Sequence, residues 1–412
     1  MPQFSIPLSG LKASTTALTV IANDLANMNT TGFKSQDTTF QDLYYQMIGT
    51  TGAGDPEQVG GGVGVASITS DFTAGSTSST GVSTDVADTG AGFFVIKNAD
   101  GTNSYTRDGT FTLNDKGYLV DASGNEVMGY SAVNGAIDST AGLNALQLGS
   151  SVTNPPVATT TMQLNANLSS STATGSSWST TMDVYDSLGE SHTVTYTFTK
   201  TAANTWSYDM TIPAADVGAA SAQTVSSGTL TFDGNGNLTS PSADVSGITV
   251  SGLADGASNM SLTWDILNPS TGAATLTQTS ADSAASSNTQ NGSATGTLSS
   301  FTIGSDGTIT GTFTNGTKVL GQLVTATFAN EQGLSRNANN DYSSTLSSGQ
   351  AVVGTPGTGG RGSLAGGELE LSNVDMATEF SALITAQRAF EANAKSITTF
   401  DEISQDTINL KR

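Results

Sequence analysis

The two ends of the chain repeat with the same period, and that limits the fold more than anything between them. From Met376 onward, apolar or nearly apolar positions fall at Met376, Phe380, Leu383, Gln387, Phe390, Ala394 and Ile397, in alternating steps of four and three. Near the start, Leu8, Leu11, Thr15, Leu18, Ala22 and Leu25 step in the same way. Such spacing keeps one stripe of a helix turned toward a partner helix. Ser372, with an acid three residues on at Asp375, predicts the start of the second helix. No Gly or Pro interrupts it afterwards, so some 37 residues would form a rod of roughly 55 Å. Asn29-Thr30-Thr31-Gly32 ends the first run, and Pro7 near its beginning costs no helical hydrogen bond.

An amphipathic helix on a globular core explains either stripe alone. Two at opposite ends of a β-like chain predict termini that zip into a coiled coil. The expected fold class is mainly β with α-helical coiled-coil termini, nested and multidomain.

The residues around the stripes carry a resemblance. Ala22-Asn23-Asp24-Leu25-Ala26-Asn27-Met28-Asn29-Thr30-Thr31-Gly32-Phe33-Lys34 resembles the N-terminal signature of the bacterial flagellar rod and hook family. Ser372-Asn373-Val374-Asp375, Ala386-Gln387-Arg388-Ala389-Phe390, Ala392-Asn393-Ala394-Lys395 and Asn409-Leu410-Lys411-Arg412 resemble its C-terminal signature. Asp24 and Phe390 stand where the family usually carries Asn and Tyr. The block from Val319 to Leu334 resembles the hook branch in particular. The resemblance covers roughly the first 130 and the last 115 residues.

The resemblance implies a structural, self-assembling subunit, whose homopolymer is an open helical tube carrying motor torque while it bends. It also implies a distal rod protein, a hook cap, hook-filament junction proteins and the flagellar type III export apparatus as partners. The implied location is extracellular, at the basal body and hook. A distal rod subunit is the second reading, disfavoured by a long inserted block. A secreted β-rich adhesin or surface-layer protein is a third, which leaves the paired stripes unexplained.

Only 12% of the chain is charged, with a net charge of −22. Between Gly117 and Thr317 fourteen acids face a single basic residue, Lys200. Nucleic acid and anionic membranes both require a positive footprint, so neither is an expected partner. The absence of cysteine removes disulfides, thiolate chemistry and Cys-ligated metals. No run approaches the roughly twenty apolar residues of a membrane span. Met1-Pro2-Gln3-Phe4 has neither a basic nor an apolar region of a signal peptide, so export without cleavage is expected.

Between the ends, Phe40, Leu43, Tyr44, Met47 and Ile48 recur at helical spacing before Gly60-Gly61-Gly62 breaks the run. The period then becomes two. Phe93 to Ile96 and Tyr105 to Arg107 flank Asn98-Ala99-Asp100-Gly101, and Phe111 to Leu113 and Tyr118 to Val120 flank Asn114-Asp115-Lys116-Gly117, predicting an antiparallel meander. Strands are also expected over Trp178 to Val184, His192 to Phe198, Thr205 to Met210, Thr229 to Phe232 and Met260 to Trp264. The expected domains are 1–34 with 372–412, connecting segments 35–70 and 354–371, an inner β-domain from 71–154 and 297–353, and an inserted β-domain at 155–296. Val152 to Pro156, with its Pro155-Pro156 pair, and the polar stretch Ala281 to Gly296 are expected linkers, and Gly354 to Gly367 a Gly-rich joint.

No catalytic constellation, cofactor or metal site is expected. His192 is the only histidine and lies on a strand. No serine sits in G-x-S-x-G. Gly357, Gly359 and Gly362 fit G-x-G-x-x-G without a helix to open. Asp233, Asn235 and Asn237, with Asp244 in twelfth place, imitate a calcium loop, but Leu238 stands where its sharp turn needs Gly and no bidentate Glu follows.

Overall fold

The computed structural model describes residues 5–52, 54–133, 135–149, 151–268 and 271–410. Lys411 and Arg412, which close the C-terminal motif, lie outside the described residues, as do the first four. The fold is mostly β, with a helix at each end, α1 (Ser5–Ala26) and α2 (Met376–Asn409). It divides into two compact units. One holds 1–151, 301–311 and 319–412; the other holds 152–300 and 312–318.

In the first unit, α1 and α2 lie against each other, and α1 also packs on the strands Gln36–Asp42 and Val63–Ser70. The strand Phe93–Lys97 explains why Phe93-Phe94-Val95-Ile96 is apolar throughout rather than alternating. Phe94 and Ile96 enter one core with Phe111, Leu119 and Val127, while Phe93 and Val95 enter a second with Tyr105, Phe328 and Tyr342. A strand covered on both faces loses its polar half. Phe93–Lys97 pairs antiparallel with Asn103–Thr106 through the Gly101 turn, where φ is +88°. It also pairs with Glu126–Val133 and Thr325–Thr327.

The second unit contains two five-stranded sheets over one core. One is an antiparallel meander of Ser177–Tyr185, Ser191–Ala202, Thr205–Ile212, Gln223–Phe232 and Leu238–Ser240. The other is built around Thr161–Ser169. In Ser191–Ala202 every second residue points inward: His192, Val194, Tyr196, Phe198 and Lys200. The inward Lys200 keeps its charge satisfied by reaching the Ser170 carbonyl at 2.5 Å. Trp264 lies among Tyr196, Phe198 and Tyr208, with ring centroids 5.4, 6.3 and 5.2 Å away.

Five expectations from sequence need correction. Residues 36–70 are not helical: Gln36–Asp42 pairs with Val63–Ser70, and Gln46–Thr50 with Pro56–Val59, as nested antiparallel ladders. Helical spacing over a short run also fits a half-exposed hairpin, and here no core gathers one face. The stretch Ala281 to Gly296 is no linker, because Ala284–Gln290 pairs along Thr161–Ser169. Its polar side chains stay in solvent while its backbone supplies the ladder. The linker at Pro155-Pro156 is likewise anchored just before it, where Thr153 and Asn154 pair with Thr297 and Gly296. The glycine joint is stitched in by Val352–Gly354, Leu364–Gly366 and Glu368–Glu370, which pair with Thr325–Thr327, Val86–Asp88 and Thr77–Ser79. Finally, α2 is capped by Asp375, whose carboxylate accepts the Thr378 N–H at 2.7 Å, rather than by Ser372. The calcium-like loop is an Asx turn. Asp233 Oδ1 accepts the N–H groups of Asn235 and Asn237, while Asp244 faces the Ile266 and Leu267 amides instead.

Candidate assembly surface

The buried face of α1 lies beside the stripe read from sequence rather than on it. It consists of Pro7, Gly10, Ala13, Ser14, Ala17, Val20 and Asp24, of which Gly10, Ser14, Ala17 and Asp24 stand one step before Leu11, Thr15, Leu18 and Leu25. The groove between the helices is lined by Ser14, Ala17 and Ile21 from α1 and by Ala382, Ala386 and Ala389 from α2. Of these last three only Ala386 is buried; Ala382 is half-buried like its neighbour Leu383, and Ala389 is exposed beside a half-buried Phe390. Gly10 lies so near Asn393 that a Cβ there would come 2.7 Å from its Oδ1. Small side chains let two backbones approach, and bulky ones are displaced to the flanks.

The displaced residues are therefore left partly or wholly open. Leu8, Met376 and Phe380 are exposed, Phe380 by 46%, while Leu11, Leu18, Leu25, Leu383, Phe390 and Ile397 are half-buried. In α2 only Ala386 is buried. Of the other motif positions, Asn23, Ala26, Asn29, Gln387, Arg388 and Ala392 are exposed, and Leu410 is 88% exposed. The hairpins of 36–70 add Phe40, Tyr44 at 96%, Met47 and Ile48 at 64%. One unit thus displays two groups of large apolar side chains, an arrangement that marks interaction surfaces.

Where the helices meet the sheet, the remaining motif residues converge. The Asp24 carboxylate accepts the Gln36 N–H at 2.8 Å, and burial raises its pKa. Asn27 Oδ1 accepts from Thr30, and the Thr31 carbonyl accepts from Asn340 Nδ2 at 2.9 Å. Gly32, with φ of +65°, donates its N–H to the Glu370 carbonyl at 2.8 Å. A Cβ there would lie 2.6 Å from the Arg107 backbone, so only Gly fits. Phe33 is buried under the Arg336 guanidinium, 5.2 Å from its ring centroid. Asn373 Oδ1 accepts the Ser35 N–H at 2.8 Å, its Nδ2 donates to the Asp71 carbonyl, and Val374 N–H reaches Ser372 Oγ.

Beneath them lies a buried ionic network that sequence reasoning missed. Lys34 Nζ donates to Glu370 Oε1 at 2.6 Å and to the Thr73 carbonyl at 2.6 Å. Arg107 Nη1 lies 3.4 Å from Glu370 Oε2, and its guanidinium sits over the Phe93 ring. All three charged side chains are fully buried. Burial, followed by the nearby Arg107 charge, lowers the Lys34 pKa against the pull of Glu370. Asp88 is raised by the same burial and lowered by Arg107. The visible signal in sequence was Lys34 and Arg107 inside otherwise apolar or turn segments. Nothing in spacing named Glu370 as their partner.

A polar recess nearby holds Asp108, Asp121 and Asp341. Burial first, then the charge of Asp121, pushes the Asp341 carboxyl up to about 6 from 3.8. Asp341 therefore binds its proton more tightly when folded. Its effect on stability is least adverse below pH 3.8, worsens as pH rises through 4 to 6, and is constant above that. Asp341→Asn is expected to stabilise the protein at pH 7 by about 1 kcal/mol, after allowance for partial exposure, and to leave it unchanged near pH 4. Urea melts at both pH values check this; an equal gain at both would show that charge is not the cause.

Four family models match in chain order. They are the flagella basal body rod protein over 6–34, the flagellar hook protein FlgE/F/G D1 domain over 87–167, the flagellar basal body protein FlaE D2 domain over 157–293, and the flagellar basal body rod FlgEFG protein C-terminal over 365–410. The flagellar hook protein FlgE of Salmonella typhimurium is 36% identical over 427 aligned residues, covering 99% of this chain and 100% of the relative. That of Escherichia coli is 36% identical over 423, with the same coverage, and that of Treponema pallidum 33% over 457, with 98% of each covered. A crystal structure of Helicobacter pylori flagellar hook protein FlgE2 aligns with a TM-score of 0.42 at 16% identity, over 70% of this chain and 98% of that one. The four models all describe parts of the flagellar rod and hook, a class of structural proteins. The chain belongs to the flagellar hook protein family, and it is a structural subunit of the hook. Those full-length relatives align through the inserted block as well, so the rod and adhesin readings fall away.

Proposed function

We propose that the subunit polymerises through the apolar side chains that its own fold leaves open. The observation that supports this most is the exposure of large apolar side chains on the end helices and on the strands of 36–70. The helices approach each other closely at Gly10 and Asn393 and leave Leu8, Met376, Phe380 and Ile384 open. A helix of 34 residues with one buried side chain gains little from the single subunit. Neighbouring copies would supply the rest, at roughly 25 cal/mol per Å² of apolar area covered. A head-to-tail contact that does not close on itself gives a helical tube. In this reading the inner helical layer transmits torque as a universal joint between motor and filament. The outer, Thr- and Ser-rich strands slide on wet contacts that exchange at little cost. The distal rod protein, hook cap, hook-filament junction proteins and the flagellar type III export apparatus are its further partners. The chain acts at the extracellular hook.

The test is the pair Phe380→Ser with Ile384→Ser, one turn apart on the exposed side of α2. The monomer should melt within about 2 °C of the parent, because neither side chain is core. Polymerisation, followed by sedimentation and electron microscopy, should be lost. Hooks of normal length from a stably folded double variant would overturn the proposal.

A further inference from the structure

The only histidine of the chain is buried at the end of a strand in the second unit, and it is surrounded by carboxylates from three separate loops. Asp186 follows the strand Ser177–Tyr185 at a tight turn. Its Oδ1 is taken by the N–H groups of Leu188 and Glu190 at 2.8 and 2.9 Å, which leaves Oδ2 facing His192 Nε2 at 3.2 Å. Asp255 is built in the same way. One of its oxygens accepts the Ala257 N–H at 3.0 Å, and the Asp186 carboxylate is its neighbour. One ligand atom each of Asp186, His192 and Asp255 falls within 4.8 Å of the others. On the other edge of the ring, the buried Nδ1 has no aligned hydrogen bond, and Asp216 Oδ2 lies 3.1 Å away.

Two carboxylate oxygens and an imidazole nitrogen are three acceptors converging on one point. Such a group is held together either by protons, on the ring or between the two carboxyls, or by a metal ion. We propose that Asp186, His192 and Asp255 bind a divalent transition-metal cation, with Asp216 orienting the ring from Nδ1. An imidazole ligand selects against Ca²⁺ and Mg²⁺, which take oxygen. One nitrogen and two carboxylates suit Zn²⁺, with a fourth place for water on the side where Asp255 is exposed. A carboxylate on the second ring nitrogen fixes the tautomer and the ring direction of a metal-bound histidine. Asp186 has one oxygen anchored by its own turn and the other turned to His192, so it needs little reorganisation, and Asp255 is held by the Ala257 N–H. The ion would clamp the Asp186 turn, the strand Ser191–Ala202 and the loop of Asp255 together.

The experiment uses the full chain, stripped with chelator and held below the concentration at which it polymerises. Titration with Zn²⁺ alone, followed by calorimetry, should show one saturable ion per chain. Saturation should raise the melting temperature by on the order of 3–5 °C, and Mg²⁺ at the same concentration should do neither. Co²⁺ in its place should give the visible absorption of a low-coordinate nitrogen and oxygen site. His192→Gln should abolish binding. Because that buried change risks the fold, Asp255→Asn at the exposed ligand provides the second arm. It should fold as the parent does and bind Zn²⁺ at least tenfold more weakly. Absence of saturable Zn²⁺ uptake would mean that protons alone fill the site, and would overturn the proposal. So would equal affinity in the parent and Asp255→Asn.

Discussion

Replacing Glu370 by Ala is expected to destabilise the first unit by about 3–5 kcal/mol, a large share of what a domain possesses. The size follows from what remains. Lys34 and Arg107 would both be fully buried without their counter-ion, and the Gly75 N–H that Glu370 Oε1 now accepts would lose its partner. Two Arg107 nitrogens, Nε and Nη2, already lack hydrogen bonds, so the site has no reserve. Glu370→Gln should cost less, because an amide oxygen still accepts from one donor. Lys34→Met combined with Glu370→Ala should recover part of the loss, since one of the two orphaned charges goes with it. Urea unfolding of the four proteins measures the cycle. A loss under 1 kcal/mol for Glu370→Ala would show that water enters and solvates the cations.

The second unit should respond most to Trp264→Ala, with an expected loss of about 3–5 kcal/mol from the cavity among Tyr196, Phe198 and Tyr208. The more discriminating comparison is between two Trp→Phe changes. Trp206 Nε1 donates to Gln278 Oε1 at 2.8 Å, whereas the buried Trp264 Nε1 donates to nothing. Trp206→Phe leaves a buried acceptor without its donor, at a cost of about 1–3 kcal/mol on top of lost volume. Trp264→Phe removes a donor that was already unsatisfied, so its loss should be the smaller of the two. The reverse order in denaturant melts would mean that packing, not hydrogen bonding, separates the two sites.

Much of this was legible in the sequence for physical reasons. The period-two strands of the second unit were readable because a sandwich core claims alternate residues, as Ser191–Ala202 shows. Hairpins announced themselves through Gly101 and Gly117, where left-handed backbone is needed. The end helices were readable as periods but not as phases. Hydrophobic spacing identifies which residues share a face; it does not say whether that face meets its own chain or another. A small residue one step from the stripe, Gly10, sits where the helices approach most closely, against Asn393. Residues 36–70 misled because five large apolar side chains at helical spacing resemble a core-facing helix, and their exposure as hairpins reflects a surface, not a core. Glu370 was invisible because ion pairs across hundreds of residues leave no local trace.

That separation has a consequence for the order in which the molecule comes into being. Lys34 is made 336 residues before Glu370, and Arg107 precedes it by 263. A growing chain therefore holds two cations destined for a dry interior before Glu370, the carboxylate that contacts both, has been made. The strands that cover Phe93 from the far side, and the helix that meets α1, also belong to the last third of the chain. Native closure of the first unit therefore waits on residues from the last third of the chain. The second unit, contiguous but for a few residues, lacks this restraint and can fold as soon as its own strands are present. The unit that carries the exposed apolar side chains thus takes its contacts from both ends of the polypeptide, whereas the second takes nearly all of its own from one stretch.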